Sequence, residues 1–283
     1  MLNHRSFPVA WSLFLASLRT LRNHPKLLLF PVTAGVSFVV GMLPFVLVLR
    51  ATQQISPGSP EARAVMLFLP LGLLTPFVAF FMAGLMSGAF YHEGVRALAG
   101  EAVSLRRGFM AALKRVRVLL FWHLFSVLAT SLTRVVGGQF GIGGRIAEFL
   151  VGLGWGAASF FVLPMIMRES PQPAEPVRLV RQSVALLRNT WGASVTSYVG
   201  MAALGLPAVV VAVAAFIYTR TGGSLLHGPW IALLAVAVGW SLMLSAAGSV
   251  FRCALYVYAS EGVIPGDFTE EQMNAAWKIK RRA

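Results

Sequence analysis

Charge is scarce in this sequence. Only 12% of its 283 residues are Asp, Glu, Lys or Arg, and just 10 of those are acidic. A soluble domain carries about 25% charged residues, so this chain is short of the polar surface that a soluble globular enzyme needs. Cysteine is nearly absent, and a single Cys253 excludes an intramolecular disulfide framework or a multi-cysteine zinc site. The five histidines are dispersed, with no His/acid pair at i,i+4 spacing in an apolar stretch, which leaves no pattern for a metal. Catalytic signatures are missing too: no G-x-x-x-x-G-K-[ST] phosphate cradle, no H-E-x-x-H and no G-x-S-x-G elbow. The expectation is a protein that is not an enzyme and uses no cofactor.

What the sequence does have is apolar length, with 57% hydrophobic residues. Crossing about 30 Å of hydrocarbon takes roughly 20 helical residues. Six stretches reach that length: 27–49, 64–90, 118–136, 146–167, 193–218 and 229–259. Pro70, Pro76 and Pro207 fall inside them and predict kinks.

The net charge of +14 comes from 24 Lys and Arg. A basic chain ordinarily points to nucleic acid, but here the position of the charge decides otherwise. The segment before the first stretch holds four cations, the 91–117 connection six, the 168–192 connection four and the tail from Arg252 five. The alternate connections hold two, two and one, so 19 cations lie on one side and 5 on the other. The positive-inside bias then predicts six spans in an inner or plasma membrane, with both termini cytoplasmic. Anionic lipid replaces nucleic acid as the expected partner.

Between the spans lie segments of amphipathic helical period. In 176–191, Arg178, Arg181, Gln182, Arg188 and Asn189 share one face, opposite Val177, Val180, Val184, Leu187 and Trp191. Residues 7–23 set Phe7, Trp11, Phe14, Leu18 and Leu21 against Ser12, Arg19 and Asn23. Because Arg19 and Arg22 follow without a small-x-small site, this segment reads as an interfacial helix rather than a cleaved signal peptide. Residues 105–117 set Leu105, Phe109, Leu113 and Val116 against Arg107, Lys114 and Arg117. In the tail, Thr269 to Gln272 has capping-box spacing, and Met273, Ala276 and Trp277 face away from Asn274, Lys278 and Arg281. Such helices are too polar to span and lie in the headgroup plane, or else dock on protein.

Each even-numbered span ends in a glutamate, Glu93, Glu169 and Glu261, 76 and 92 residues apart, with an amphipathic helix soon after. The predicted fold class is therefore an all-α membrane protein of six transmembrane helices and four cytoplasmic-side amphipathic helices. It forms a threefold pseudo-repeat of two spans plus an in-plane helix. Residues 1–283 form one membrane domain: an interfacial helix at 6–24, the first pair of spans with its connection at 27–104, and an interfacial helix with the second pair at 105–176. A third such unit covers 177–267, and 268–283 is a basic amphipathic tail.

Two stretches carry a family likeness. One is Trp11 with Leu18, Leu21-Arg22 and Leu27-Leu28-Leu29-Phe30-Pro31; the other is Ala254-Leu255-Tyr256-x-Tyr258-Ala259 with Gly262, Pro265 and Phe268. With these the chain resembles a group of prokaryotic integral membrane proteins classed as a domain of unknown function. That group is in turn similar to the membrane domain beside some glycerophosphodiester phosphodiesterases. The resemblance implies six spans with both termini inside, and transfers no catalytic residue.

Among candidate functional residues, ionisable groups in or near the spans come first, because each is costly in hydrocarbon. Arg252 either reaches back to the interface or pairs with Glu93 or Glu169, if these and Glu261 converge at one cytoplasmic mouth. His123 reads as a proton relay or as a satisfied polar side chain. Arg19, Arg22, Lys26, Arg106, Arg107, Lys114, Arg115, Arg178, Arg181 and Arg188 are the expected contacts for anionic lipid. On the outer side, Arg134, Arg145 and Glu148 flank a glycine-rich connection at 137–144 that reads as a tight turn or a re-entrant mouth. Gly84 with Gly88 and Gly152 with Gly156 have small-xxx-small spacing for helix packing, within the chain or in a homo-oligomer. Functionally this leaves a protein that binds or organises anionic lipid, or alternatively a channel or transporter for anions or small solutes.

Overall fold

The computed structural model describes residues 6–54, 60–139, 141–168, 175–188, 203–223 and 229–276. Helices account for nearly all of these, and no strand occurs among the described residues. Helix is what an apolar chain must form when water cannot reach its backbone, since every N–H and C=O then pairs within its own segment. The helices are α1 (Ser6–Asn23), α2 (Leu29–Gln54), α3 (Pro60–Leu98), α4 (Leu105–Lys114), α5 (Val116–Gln139) and α6 (Gly141–Ala158). They continue as α7 (Val162–Arg168), α8 (Pro176–Arg188), α9 (Leu206–Arg220), α10 (Pro229–Glu261) and α11 (Glu270–Ala276).

Four segments are long and apolar enough to cross a membrane: Pro25–Thr52, Met66–Leu98, Gly143–Arg168 and Pro229–Glu261. They mark the chain as a membrane protein. A fifth candidate is the pair α4–α5, which bends by 74° between Lys114 and Val116. The expected span at 193–218 appears only as the 15 residues of α9, because residues 193–202 lie outside the described part. Helix α3 runs unbroken through Pro70 and Pro76, and Pro207 sits in the first turn of α9, where its missing N–H costs nothing. A break occurs instead at 159–161, between α6 and α7, just before Pro164. The freed backbone N–H of Phe161 is taken up by the buried hydroxyl of Ser183 on α8, at 3.1 Å. In the glycine-rich segment, Gly137 to Gln139 finish α5 and Gly141 to Gly144 begin α6, and Phe140 between them lies outside the described residues.

Burial is lopsided along the long helices. The collar ends of α3 and α10 are sealed, with Ala89, Phe90 and Tyr91 packed near Val250, Phe251 and Cys253–Tyr256. Their other ends are bare: Met66, Leu67, Phe68, Ile231 and Val236 are all exposed. Bare apolar length is what a lipid-facing surface looks like. The core is therefore a plug at one end, and the amphipathic helices complete it. Helix α1 buries Leu13, Phe14, Ser17, Thr20 and Leu21 and packs on α10; α4 buries Gly108, Ala111 and Ala112 against α3; α8 buries Leu179, Ser183 and Leu187 against α6 and α7. Their apolar stripes thus dock on protein. Helix α11 is closed by the expected capping box, with Thr269 N donating to Gln272 Oε1 at 3.0 Å and Gln272 N to Thr269 Oγ1 at 3.2 Å. It buries Met273 in the same core.

The two glycine pairs part company. A Cβ on Gly84 would lie 1.9 Å from His123 Nε2, and one on Gly88 would touch Met167 and Leu119, so this face packs α3 on α5 and α7 inside the chain. Gly152 and Gly156 are open, with nothing within 4 Å of a Cβ. His123 is boxed in by Phe80 and Phe81, and its Nδ1–H donates to the Leu119 carbonyl at 2.6 Å. That is the satisfied polar side chain rather than a relay. Replacing Gly84 with Val should destabilise the protein by about 2 kcal/mol or more, because the histidine has nowhere to retreat. Gly152→Val should leave the thermal midpoint in detergent unchanged.

Candidate functional site

The collar, where the amphipathic helices meet the ends of α3 and α10, is fastened by an ion pair between a buried glutamate and a half-exposed arginine. Helix α3 ends at Leu98, Gly100 turns the chain at φ 82, and Ser104 caps α4 by accepting from Arg107 N. This tight return brings Arg107 back over Glu93, which is fully buried. Arg107 Nε donates to Glu93 Oε1 and Nη2 to Oε2, both at 2.7 Å, and Ser104 N donates to Oε2 at 2.7 Å. Arg107 Nη2 also donates to the Ala102 carbonyl. A planar guanidinium fits a carboxylate in this two-point manner, and three donors satisfy a charge that burial would otherwise forbid. Gly108 permits the approach: a Cβ there would lie 2.8 Å from Glu93 Cγ and 3.0 Å from the Ala89 carbonyl.

The residues expected at one mouth have separate partners. Glu93 is taken by Arg107, and Glu261 by Arg168 across α7 and α10. Arg252 lies with its guanidinium carbon 4.8 Å from the Phe160 ring centroid and 5.8 Å from that of Tyr91, a cation–π sandwich near the collar end. Glu169 lies outside the described residues.

The remaining cations face outward. Arg19, Arg22, Lys26, Arg106, Lys114, Arg117, Arg178 and Arg181 are all exposed, while Arg115 is half-buried; the side chain of Arg188 is outside the described part. Exposed apolar residues stand among them: Trp11 and Leu15 on α1, Leu105 and Met110 on α4, Val177 on α8. Each collar helix therefore has one face in the protein core and one of arginine and lysine with a few apolar anchors. On the opposite side, Arg145 is exposed and Glu148 half-buried, and the Arg134 side chain is not described.

Two cavities open beside this rim. One, of about 320 Å³, is walled by Tyr91, His92, Arg96, Arg115 and Arg168. Arg96 binds Glu101, and Arg168 binds Glu261. Arg115 has no acidic partner among the described residues, and the Nε atoms of Arg96 and Arg115 are buried there without a hydrogen-bond acceptor. The other, of about 670 Å³, runs between α3, α9 and α10 and is walled by Ser87, Tyr91, Ser241, Ser245, Ser249 and Arg252. The second cavity was visible in the chain: offsets of 4, 8 and 11 from Ser241 to Ser245, Ser249 and Arg252 put all four on one helical face. The first was not, since its arginines come from three distant segments. Among the described residues no group of three or more His, Cys, Asp or Glu could hold a metal ion.

The chain belongs to a family of unknown function (DUF6159), which matches residues 62–266. The match takes in Glu93, Arg107, Arg115 and Arg252 and leaves out α1. No curated protein and no solved structure matches the chain.

Removing half of the buried pair should loosen the collar. Glu93→Gln should lower the thermal midpoint by several degrees and speed proteolysis of the α3–α4 turn. Arg107→Met should cost more than Glu93→Gln, because it leaves the buried Glu93 carboxylate without its partner, whereas Arg107 is itself part-exposed and turns to solvent.

Proposed function

We propose that this is a six-span membrane protein, with both termini cytoplasmic, whose collar binds anionic lipid headgroups without catalysis. The observation that carries the reading is the two-faced collar. Helices α1, α4 and α8 are fixed to the bundle by their buried faces, while their outward faces hold the exposed cations Arg19, Arg22, Arg106, Lys114, Arg178 and Arg181 beside Trp11, Leu15 and Met110. A rim of cations with apolar anchors, set at the end of membrane-length helices, matches the layering of a bilayer: phosphates outside, acyl chains inside. Each such cation contributes on the order of 1 kcal/mol with anionic lipid. The cation asymmetry of 19 to 5 supports the same orientation.

Orientation is tested by single cysteines in a Cys253→Ala background in cells. Cysteines at Ser56 and Gly222 should react with an impermeant maleimide from outside, and those at Arg106 and Glu175 only after permeabilisation. The opposite pattern contradicts the topology. Lipid binding is tested by titrating phosphatidylglycerol into the detergent-solubilised protein. Replacing Arg178 and Arg181 together by Glu should weaken it by at least about 2 kcal/mol, roughly thirtyfold, with the thermal midpoint unchanged. If reversal leaves the affinity as it was, the cations serve topology alone.

A further inference from the structure

Beyond a diffuse cationic rim, the two cavities together have the form of a site for one molecule. We propose that they hold a single phospholipid, its phosphate among Arg96, Arg115 and Arg168 and an acyl chain along the cleft between α3, α9 and α10. This rests on the lipid-binding reading above and names the ligand and its place.

The head site follows from unmet hydrogen bonding. Buried N–H groups nearly always have acceptors, and an unmet one costs about 1–3 kcal/mol. Here two guanidinium Nε atoms, of Arg96 and Arg115, are buried beside a cavity that would admit an oxyanion. The charges around it set the valence. Three arginines less Glu101 and Glu261 leave one positive charge, with His92 in addition when protonated. A phosphodiester monoanion matches that balance.

The tail site follows from shape and depth. Gly205, Ala208 and Ala212 of the α9 segment and Ser241, Ser245 and Gly248 of α10 give the cleft small walls, and Leu163, Val209 and Leu244 add an apolar lining suited to an acyl chain. The Ser241 hydroxyl is already bonded to the Ala237 carbonyl, 2.7 Å away, and asks nothing of a ligand. Ser241 and Ser245 are exposed at a level where the neighbours are lipid, so the cleft opens sideways to a chain. From Arg252 to Ser241 is 11 residues, about 16 Å of helix, close to half of the roughly 30 Å hydrocarbon thickness. One leaflet's acyl chain has that reach. Tyr91 belongs to the wall of both cavities, so head and tail sites adjoin. Arg252, flat on Tyr91 and Phe160, stands where the ester groups would sit.

The full chain is purified in detergent and titrated separately with phosphatidylglycerol, phosphatidylcholine and inorganic phosphate, with native mass spectrometry counting bound lipid. Wild type should retain one phosphatidylglycerol after delipidation and prefer it to phosphatidylcholine at least tenfold. Arg115→Gln should reduce retention at least tenfold, and Arg115→Lys, which keeps the charge and checks folding, by less. Gly248→Leu, which has open space around its Cβ and fills the cleft, should also lose the retained lipid. Retention untouched by both Arg115→Gln and Gly248→Leu overturns the proposal. So does equal retention of the two lipids, or displacement of the head by inorganic phosphate with no effect of Gly248→Leu, which makes the pocket a free-phosphate site. If no lipid is retained while Arg178→Glu/Arg181→Glu still weakens overall phosphatidylglycerol binding, this proposal fails and the collar reading stands; if neither effect appears, both fail.

Discussion

A carboxylate cannot be taken out of water without donors to receive it, and Glu93 is wholly out of water. Its three hydrogen bonds, two from Arg107 and one from the Ser104 backbone, fix the collar end of α3 to the start of α4. From that point the rest of the arrangement follows. Once α4 lies on α3, its remaining cations, Arg106 and Lys114, must point away from the bundle, and Arg115 is delivered to the rim cavity. The chain then bends by 74° and enters α5, whose Leu119 and His123 meet the glycine face of α3. One buried charge thus orders both the packing inside and the cations outside.

The distribution of apolar burial gives this fastening its purpose. At the far end, α2, α3 and α10 leave Leu47, Leu67 and Val236 exposed, while α2 and α3 stay close-packed there through Val48 and Gly72. At the collar end, Phe14, Phe30, Phe161, Phe251 and Met273, from five different segments, pack into one core. The cleft above Arg252 reaches about half the hydrocarbon depth.

Much of this was legible in the chain, and the exceptions have physical reasons. Hydropathy located the apolar helices, and amphipathic period located α1, α4, α8 and α11, because both depend on near neighbours in sequence. Periodicity finds a stripe and cannot say what covers it, so the docking of Phe14 and Leu187 on protein rather than lipid emerged only from the fold. Glu93, Glu169 and Glu261 read as a convergent set because they recur in register. Yet Glu93 finds its partner 14 residues onward, and Glu261 finds Arg168, 93 residues away. Proline marks the loss of one hydrogen bond and does not by itself end a helix, so α3 continues through Pro70 and Pro76 while a break falls at 159–161. Gly84 was recognisable as a packing residue, although its partner, a buried histidine, was not.

Contact between the rim arginines and lipid phosphate is the central claim, and a dipolar measurement reaches it directly. Protein with ¹³C-labelled arginine guanidinium carbons, placed in phosphatidylglycerol bilayers, can be examined by solid-state ¹³C–³¹P dephasing after a high-salt wash has stripped loosely held lipid. A wash-resistant guanidinium population should remain strongly dephased by phosphorus, and it should shrink when Arg115 is replaced by Gln. Dephasing that vanishes entirely with the wash, or that is the same with and without Arg115, contradicts the account.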